Sequence, residues 1–383
     1  MQIAPLSTAF QQNLYTSERS FTAAKYEEAI WDRLLPGDVE SYRYHLAFEI
    51  SKVKGFKTGY AAVRRGGIVV LLAPYFITDY VPVSPSQGVA RQPSTYLHNV
   101  AAGACNSKWL CVGSPVTNSG KLGITRDYPF DPDMISALNQ QLEAIAAREN
   151  ISCIAFRDIL QSDAEQLMQP LKQLGFTQTD NVPITINTIN FTNIDDYLQS
   201  QNSATQKDLR YKLEICKHVQ IEEFDGVVPE LDAIYQLYLN CYARSELKFE
   251  KLTPEFFESI AALMPNQCRY VLYRAEGQLI GFNLLLHRNG ILLDKYRGLD
   301  YGLSQKYNLD LLSWVHNIEM CIRDKFHSCQ SRHADFETKI KLGAKLQKTH
   351  TFLRQRNHLL EPVQQLKIPS LTKPNFDHSI PIT

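Results

Sequence analysis

Three apolar runs at residues 269–275, 278–286 and 291–297, separated by Glu276-Gly277 and Asn289-Gly290, constrain this chain more than any other feature. A dipeptide ending in Gly supplies the left-handed backbone that tight hairpin turns need, so the runs predict a three-stranded antiparallel meander. A sheet of that kind must bury a face against helices. Residues 234–242 and 254–263 before it, and 309–325 after it, carry apolar side chains at helical spacing and supply that cover. A basic helix within 195–219 precedes them. A short strand at 326–331, a helix at 337–342 and an extended segment at 349–356 complete the unit.

The first half repeats this order in pattern rather than in residue identity. Residues 26–34 and 42–53 read as helices, 58–64 and 68–73 as a hairpin across Gly66-Gly67 that ends at Pro74, and 109–112 as a buried strand. A helix beginning at Asp131 or Pro132 and ending near 148, a strand at 151–157, a helix at 163–174 and an extended segment at 176–189 follow. A chain of 383 residues exceeds what one ordinary hydrophobic core supports. The expectation is an α/β protein of the layered α+β kind: two tandem units, each a mixed, mostly antiparallel sheet flanked by helices. A polar leader at 1–24, units at 25–188 and 189–362, and a tail at 363–383 are the expected boundaries.

Composition removes several function classes. Forty basic side chains balance forty acidic ones, so no DNA partner is expected. The longest apolar stretch, 67–76, is interrupted by Pro74 and falls far short of the roughly 20 residues that a membrane-spanning helix needs. With no secretory pattern at its start, the chain is expected to be cytoplasmic. Eight cysteines are scattered without a CxxC pair, which predicts free thiols and no metal site.

The run Asp294-Lys295-Tyr296-Arg297-Gly298-Leu299-Asp300-Tyr301, then Tyr307, and later Phe336-Glu337-Thr338-Lys339-Ile340-Lys341-Leu342-Gly343-Ala344, resembles GNAT-like proteins related to the Fem-type peptidoglycan aminoacyl transferases. The basic helix at 206–218 is similar to the one that opens their catalytic domain. The resemblance implies tandem GNAT-like domains with the second one catalytic. Acyl-CoA is the expected co-substrate, with no resident cofactor, because the balanced net charge offers no strongly basic surface for tRNA, and a small-molecule or peptide amine is the expected acceptor. Aminoacyl-tRNA is the alternative donor, a non-catalytic binding protein the opposing class, and a homodimer is left open. Two departures from the pattern stand out: only Gly298 and Gly302 remain of the glycine-rich carrier loop, and Arg332-His333-Ala334-Asp335 replaces a Gly-Gln turn.

Candidate residues follow, each beside a plainer reading. Lys339 is the expected oxyanion or phosphate partner, or else a solvated helix lysine. Asp300 and Tyr296 join it as catalytic candidates, a carboxylate there being able to take a proton from an amine. Lys295, Gly298, Tyr301 and Gly302 are the expected carrier-binding residues. His287, His333 and Lys341 are assigned to the acceptor, against satisfied histidines and a surface lysine. Strand alternation places Asp294 and Tyr296 on one face, with Lys295 and Arg297 on the other.

Overall fold

A computed structural model describes residues 14–79, 108–245, 248–332 and 336–356. The first half runs β1 (Tyr15–Ser20), α1 (Glu28–Leu34), α2 (Tyr42–Ser51), β2 (Lys57–Arg65), β3 (Ile68–Thr78), β4 (Lys108–Val112), a two-residue β5 (Gly123–Ile124), α3 (Pro132–Glu149), β6 (Ile151–Leu160), α4 (Gln161–Gln173) and β7 (Thr177–Thr188). The second runs α5 (Ile194–Gln199), α6 (Ser203–Cys216), β8 (Gln220–Asp225), α7 (Leu231–Arg244), α8 (Pro254–Leu263), β9 (Cys268–Ala275), β10 (Gln278–Arg288), β11 (Ile291–Leu299), α9 (Tyr301–Lys306), α10 (Leu309–Arg323), β12 (Ser328–Ser331), α11 (Phe336–Lys341) and β13 (Lys345–Gln355).

All the strands join one mixed, mostly antiparallel sheet in the order β1-β2-β3-β4-β6-β13-β7-β12-β11-β10-β9-β8, with β5 on β3. From the two edges inward the order matches strand for strand. Each half contains one parallel pair, β4 with β6 and β11 with β12. At the centre β7 and β13 pair antiparallel, and each flanks the other half: β13 lies beside β6, and β7 beside β12. The two repeated units therefore share a continuous sheet through exchanged last strands.

Helix ends carry the expected chemistry. Asp131 caps α3 by accepting from Asp133 N–H, Pro132 follows it, and Asn150 closes the helix in the left-handed region. Strands β2 and β3 separate two layers. Ala61 and Val63 face the α3 core with Leu138 and Leu142, whereas Tyr60 and Ala62 face Trp31 of α1. On that second face α2 crosses into the other half, where Tyr44 and Phe48 share a core with Phe256 and Phe257 of α8. This crossing carries first-half residues over β11.

Three differences from the sequence-based expectation have physical causes. Residues 15–20, assigned to the polar leader, form the edge strand β1, and β8 at the opposite edge was not foreseen. Edge strands are held through backbone pairing and carry charged side chains, such as Glu18 against Arg64 at 2.9 Å, so they lack an apolar period. Strand β3 continues through Pro74 because the missing N–H falls in a gap: β5 pairs end at Leu72, β4 pairs begin at Tyr75, and the Pro74 carbonyl on that side accepts from Gly113 N–H. The expected tail at 363–383 lies outside the described residues.

Candidate active site

Strand β11 pairs with β10 so that Tyr296 faces Leu284 and Asp294 faces Leu285, leaving Lys295 as an extra residue. Such a bulge breaks alternation and re-aims side chains. Asp294 turns toward Asn283, whose Nδ2 donates to it at 2.9 Å and whose Oδ1 accepts from Ser313 of α10 at 3.0 Å. Lys295 and Tyr296 both turn toward α2 and α8. Lys295 Nζ lies 5.5 Å from the Tyr44 ring and 5.2 Å from the Tyr296 ring, and Tyr296 packs 5.8 Å from Phe256. The expected shared face of Asp294 and Tyr296 is thus split by the bulge.

Lys295 ends in a buried polar cluster drawn from both halves. Its Nζ sits 2.6 Å from Glu40 Oε1, with the two side chains 3% and 4% exposed, and donates to Asn118 Oδ1 at 2.8 Å. Asn118 N–H donates to Glu40 Oε2 at 2.9 Å. Burial lowers the lysine's pKa below its ordinary value, against the pull of Glu40. Asn118 Nδ2 is buried without a hydrogen-bond partner among the described residues, on the same amide whose Oδ1 accepts from Lys295.

The outer side of this cluster is richer in charge. Arg332 donates to the Asn118 carbonyl at 2.6 Å and to the Asp158 carboxylate, which also accepts from Asn181 Nδ2 at 2.6 Å. Asp158 holds φ at 57° within β6, a conformation that these bonds maintain. Burial works against its charge, but Arg332 and Arg157 outweigh that and lower its pKa. Arg157 covers the Phe249 ring at 4.8 Å. Next to Phe249, Glu250 is half-buried, and burial pushes its carboxyl up to about 7 even though Lys295, Arg157 and Arg332 pull the other way.

Asn118 reaches this position because the loop after β4 lies flat on β6. Gly120 N–H donates to the Asp158 carbonyl at 2.9 Å, and a Cβ at residue 120 would stand 1.8 Å from the Arg157 carbonyl oxygen. The same loop walls a cleft of about 470 Å³ whose floor includes Leu35, Leu122, Ile124 and Ile159. Asp38 and Lys121, joined by an ion pair, line both this cleft and a void of about 10 Å³ that reaches Glu40.

Residues 95–364, well over half of the chain, match the FemAB-like family model, described as peptidoglycan biosynthesis/recognition. The chain belongs to the FemAB-like family. It is also 22% identical over 250 residues to a Mycobacterium tuberculosis protein named 8-amino-7-oxononanoate synthase 2, covering 63% of this chain and 32% of that protein. The chain thus spans about a third of the length of the curated relatives it matches. Among solved structures it is similar to FemX, with a TM-score of 0.57 at 14% identity over 92% of this chain and 100% of that one. A tandem GNAT protein from the clavulanic acid biosynthesis pathway gives a TM-score of 0.50 at 11% identity, over 89% and 98% of the two chains. The fold is the tandem GNAT-like fold expected from the sequence. No helix among the described residues is long and apolar enough to cross a membrane.

Within this FemAB-like framework, of the nine described residues among the ten singled out by sequence, Lys295 and Tyr296 join the cluster around Glu250. Lys339 is buried in α11, where it donates to Ser331 Oγ at 2.8 Å and lies 5.8 Å from the Trp314 ring. Asp300 caps α9 by accepting from Leu303 N–H at 3.0 Å. Gly298 is a packing position, since a Cβ there would lie 2.5 Å from the Leu237 backbone of α7. Tyr301 sits under the Arg244 guanidinium at 3.8 Å and donates to Cys241 Sγ at 3.5 Å, and Gly302 lies in the first turn of α9. His287 packs against Phe326 at 5.3 Å, where burial lowers its pKa. Lys341 is exposed, and His333 lies outside the described residues.

Sequence reasoning did not single out Glu40, Asn118, Arg157, Asp158 or Glu250, and met Arg332 only as part of a departure from the family pattern. Glu250 stands between Phe249 and Lys251, two residues after Lys248, and reads locally as a solvated carboxylate. Its environment comes from β6, β11 and residue 332, none of which is near it in sequence.

Proposed function

We propose that this FemAB-like protein transfers an acyl or aminoacyl group from a carrier to a primary amine, with Glu250 as the general base. The observation that carries this reading is a half-buried carboxyl held at about 7 beside three cations. A base is most useful when its pKa lies near the working pH, because it is then both ionised and basic. The amine nitrogen attacks the carrier's carbonyl carbon, and Glu250 takes the ammonium proton. Arg332, Lys295 and the Asn118 Nδ2 donor offset the oxyanion, and the carbonyl reforms as the bond to the carrier's sulfur or oxygen breaks and that atom takes the proton back from Glu250.

Acyl-CoA is the first donor to test. Aminoacyl-tRNA is the second, because the family description and the likeness to FemX point toward the Fem-type enzymes. The side of β11 beyond Lys295 supports neither donor over the other: Glu40 and Asn118 meet Lys295, α7 backbone meets Gly298, and Arg244 covers Tyr301. The deciding experiment offers the purified protein primary amines with acetyl-CoA, longer acyl-CoAs or charged tRNA, across pH 5 to 9. Transfer that rises through about pH 7 is expected. A ligand at 100 times its dissociation constant adds roughly 2.7 kcal/mol to thermal stability, so binding without turnover is also visible. No transfer with any donor overturns the reading and leaves a binding role.

A further inference from the structure

The 470 Å³ cleft on the first half is not part of the cluster around Glu250, and its chemistry is more specific than its volume. The floor is apolar, formed by Leu35, Leu122, Ile124, Ile159 and Leu167. Buried Asp38 and half-buried Lys121, which also line the cleft, form an ion pair, and Lys121 attracts Asp163 as well. Two other lining residues of opposite sign, Arg126 and Asp163, are exposed and have no ion pair among the described residues. A cavity of this size suits a small metabolite, with an apolar body setting affinity and a few polar groups setting orientation.

Apolar side chains beside a cation and an anion that no ion pair joins, Asp163 accepting from Ser162 Oγ at 3.5 Å, are complementary to a molecule that carries both charges at one end and a hydrocarbon group at the other. We propose that the cleft binds a free, zwitterionic α-amino acid with a bulky apolar side chain. Its carboxylate meets Arg126, its ammonium meets Asp163, and its side chain lies on Leu122, Ile124 and Ile159. A fatty acid would bring its carboxylate toward Asp163 as well as Arg126, and an alkylamine would leave Arg126 without a partner. A carboxylate held near Asp163 is repelled by it, and an alkylamine gains nothing from Arg126, so both fit less well than the zwitterion. The shared Asp38–Lys121 wall leads from this cleft toward Glu40 and Lys295. The inference rests on the transfer reading only in naming this amino acid as the amine acceptor.

The test is titration calorimetry of the full chain, without any donor, against L-leucine and L-phenylalanine and against 4-methylpentanoate and isoamylamine, which each lack one charge. Both amino acids should bind, and the two singly charged analogues should bind at least tenfold more weakly. Arg126→Gln should abolish the preference for L-leucine over isoamylamine, and Asp163→Asn the preference over 4-methylpentanoate. Leu122→Arg, with its unfolding temperature checked, should abolish binding. Equal affinity for the analogues, no binding of either amino acid, or binding that survives Leu122→Arg overturns the proposal. Because no donor is present, those results leave transfer to other amines standing, while an absence of transfer leaves the binding result standing.

Discussion

The far ends of the two parallel strand pairs, β4 with β6 and β11 with β12, occupy equivalent places in the sheet and are finished differently. Beyond β4 the chain lies on β6 through Gly120 and leaves an open cleft beside it. Beyond the paired part of β11, a bulge turns Lys295 inward onto Glu40 and Asn118, and side chains or helix backbone meet the strand as far as Gly298. One topology is thus used twice: the first-half end leaves room on one side and lends Asn118, Arg157 and Asp158 to the charged cluster, and the second-half end brings Lys295 to it. The Lys295 bulge accompanies the second outcome, and fold alone does not say which half does which task.

The sharpest way to break this division is at Glu250. If the second half supplies the chemistry, Glu250→Gln should lower the transfer rate by roughly 10²- to 10⁴-fold, the range general bases contribute, and flatten the pH–rate profile near 7. The same group makes a separate prediction for stability. Its folded pKa of about 7 lies above the ordinary 4.5, so its contribution is present in full below about pH 4.5 and is lost as pH rises through 7. Urea unfolding at pH 5 and pH 8 should therefore show the wild type losing stability relative to Glu250→Gln, by at most about 3 kcal/mol. A difference independent of pH would mean that the carboxyl is not held near 7.

Next in size is the buried pair that closes the β11 side. Lys295→Met leaves Glu40 charged and buried with its cation gone, which should cost about 3–5 kcal/mol in denaturant unfolding. Adding Glu40→Gln removes the uncompensated charge and keeps an acceptor for Asn118 N–H, so the double variant should recover most of that loss. If the single and double variants unfold alike, the pair is not coupled and the contrast between the two ends loses its electrostatic basis.

What could be read from the sequence follows from what periodicity reports. The meander, its glycine turns and the amphipathic helices are local patterns, and they appear where expected. The two edge strands carry polar side chains and are specified by a neighbour's backbone, so neither had a signal. The exchange of β7 and β13 depends on pairing between residues more than 150 positions apart, as at Thr351 and Thr179. For the site, the run 294–301 led to Lys295 and Tyr296 but to the wrong facing, because a bulge depends on strand register and not on residue type. Glu250, Glu40 and Asn118 gain their meaning only when α2, the loop after β4 and the segment before α8 converge.

A smaller effect tests the open end. Gly120→Ala places a methyl group against the Arg157 carbonyl, where only backbone movement relieves the clash, and should cost about 1–3 kcal/mol. It should also displace Asn118 and reduce transfer. At the equivalent end of the second half, Gly302→Ala meets only the Asp300 carboxylate at 3.4 Å within a helix, and should leave stability unchanged or slightly raised. Comparable losses at both glycines would erase the difference between the two ends.

The smallest effect separates two roles for one carboxylate. Asp300 was a catalytic candidate from sequence, and in the structure its Oδ1 accepts from Leu303 N–H at the start of α9. Losing an N-cap side chain costs about 1 kcal/mol, so Asp300→Ala should lower stability by that amount. Asparagine caps helices about as well as aspartate but cannot take a proton at neutral pH. Asp300→Asn should therefore match the wild type in both unfolding and transfer if the residue only shapes the β11 end. If Asp300→Asn keeps full stability yet loses transfer, the carboxylate acts in the chemistry, and catalysis extends past the Lys295 bulge into the segment that side chains otherwise fill.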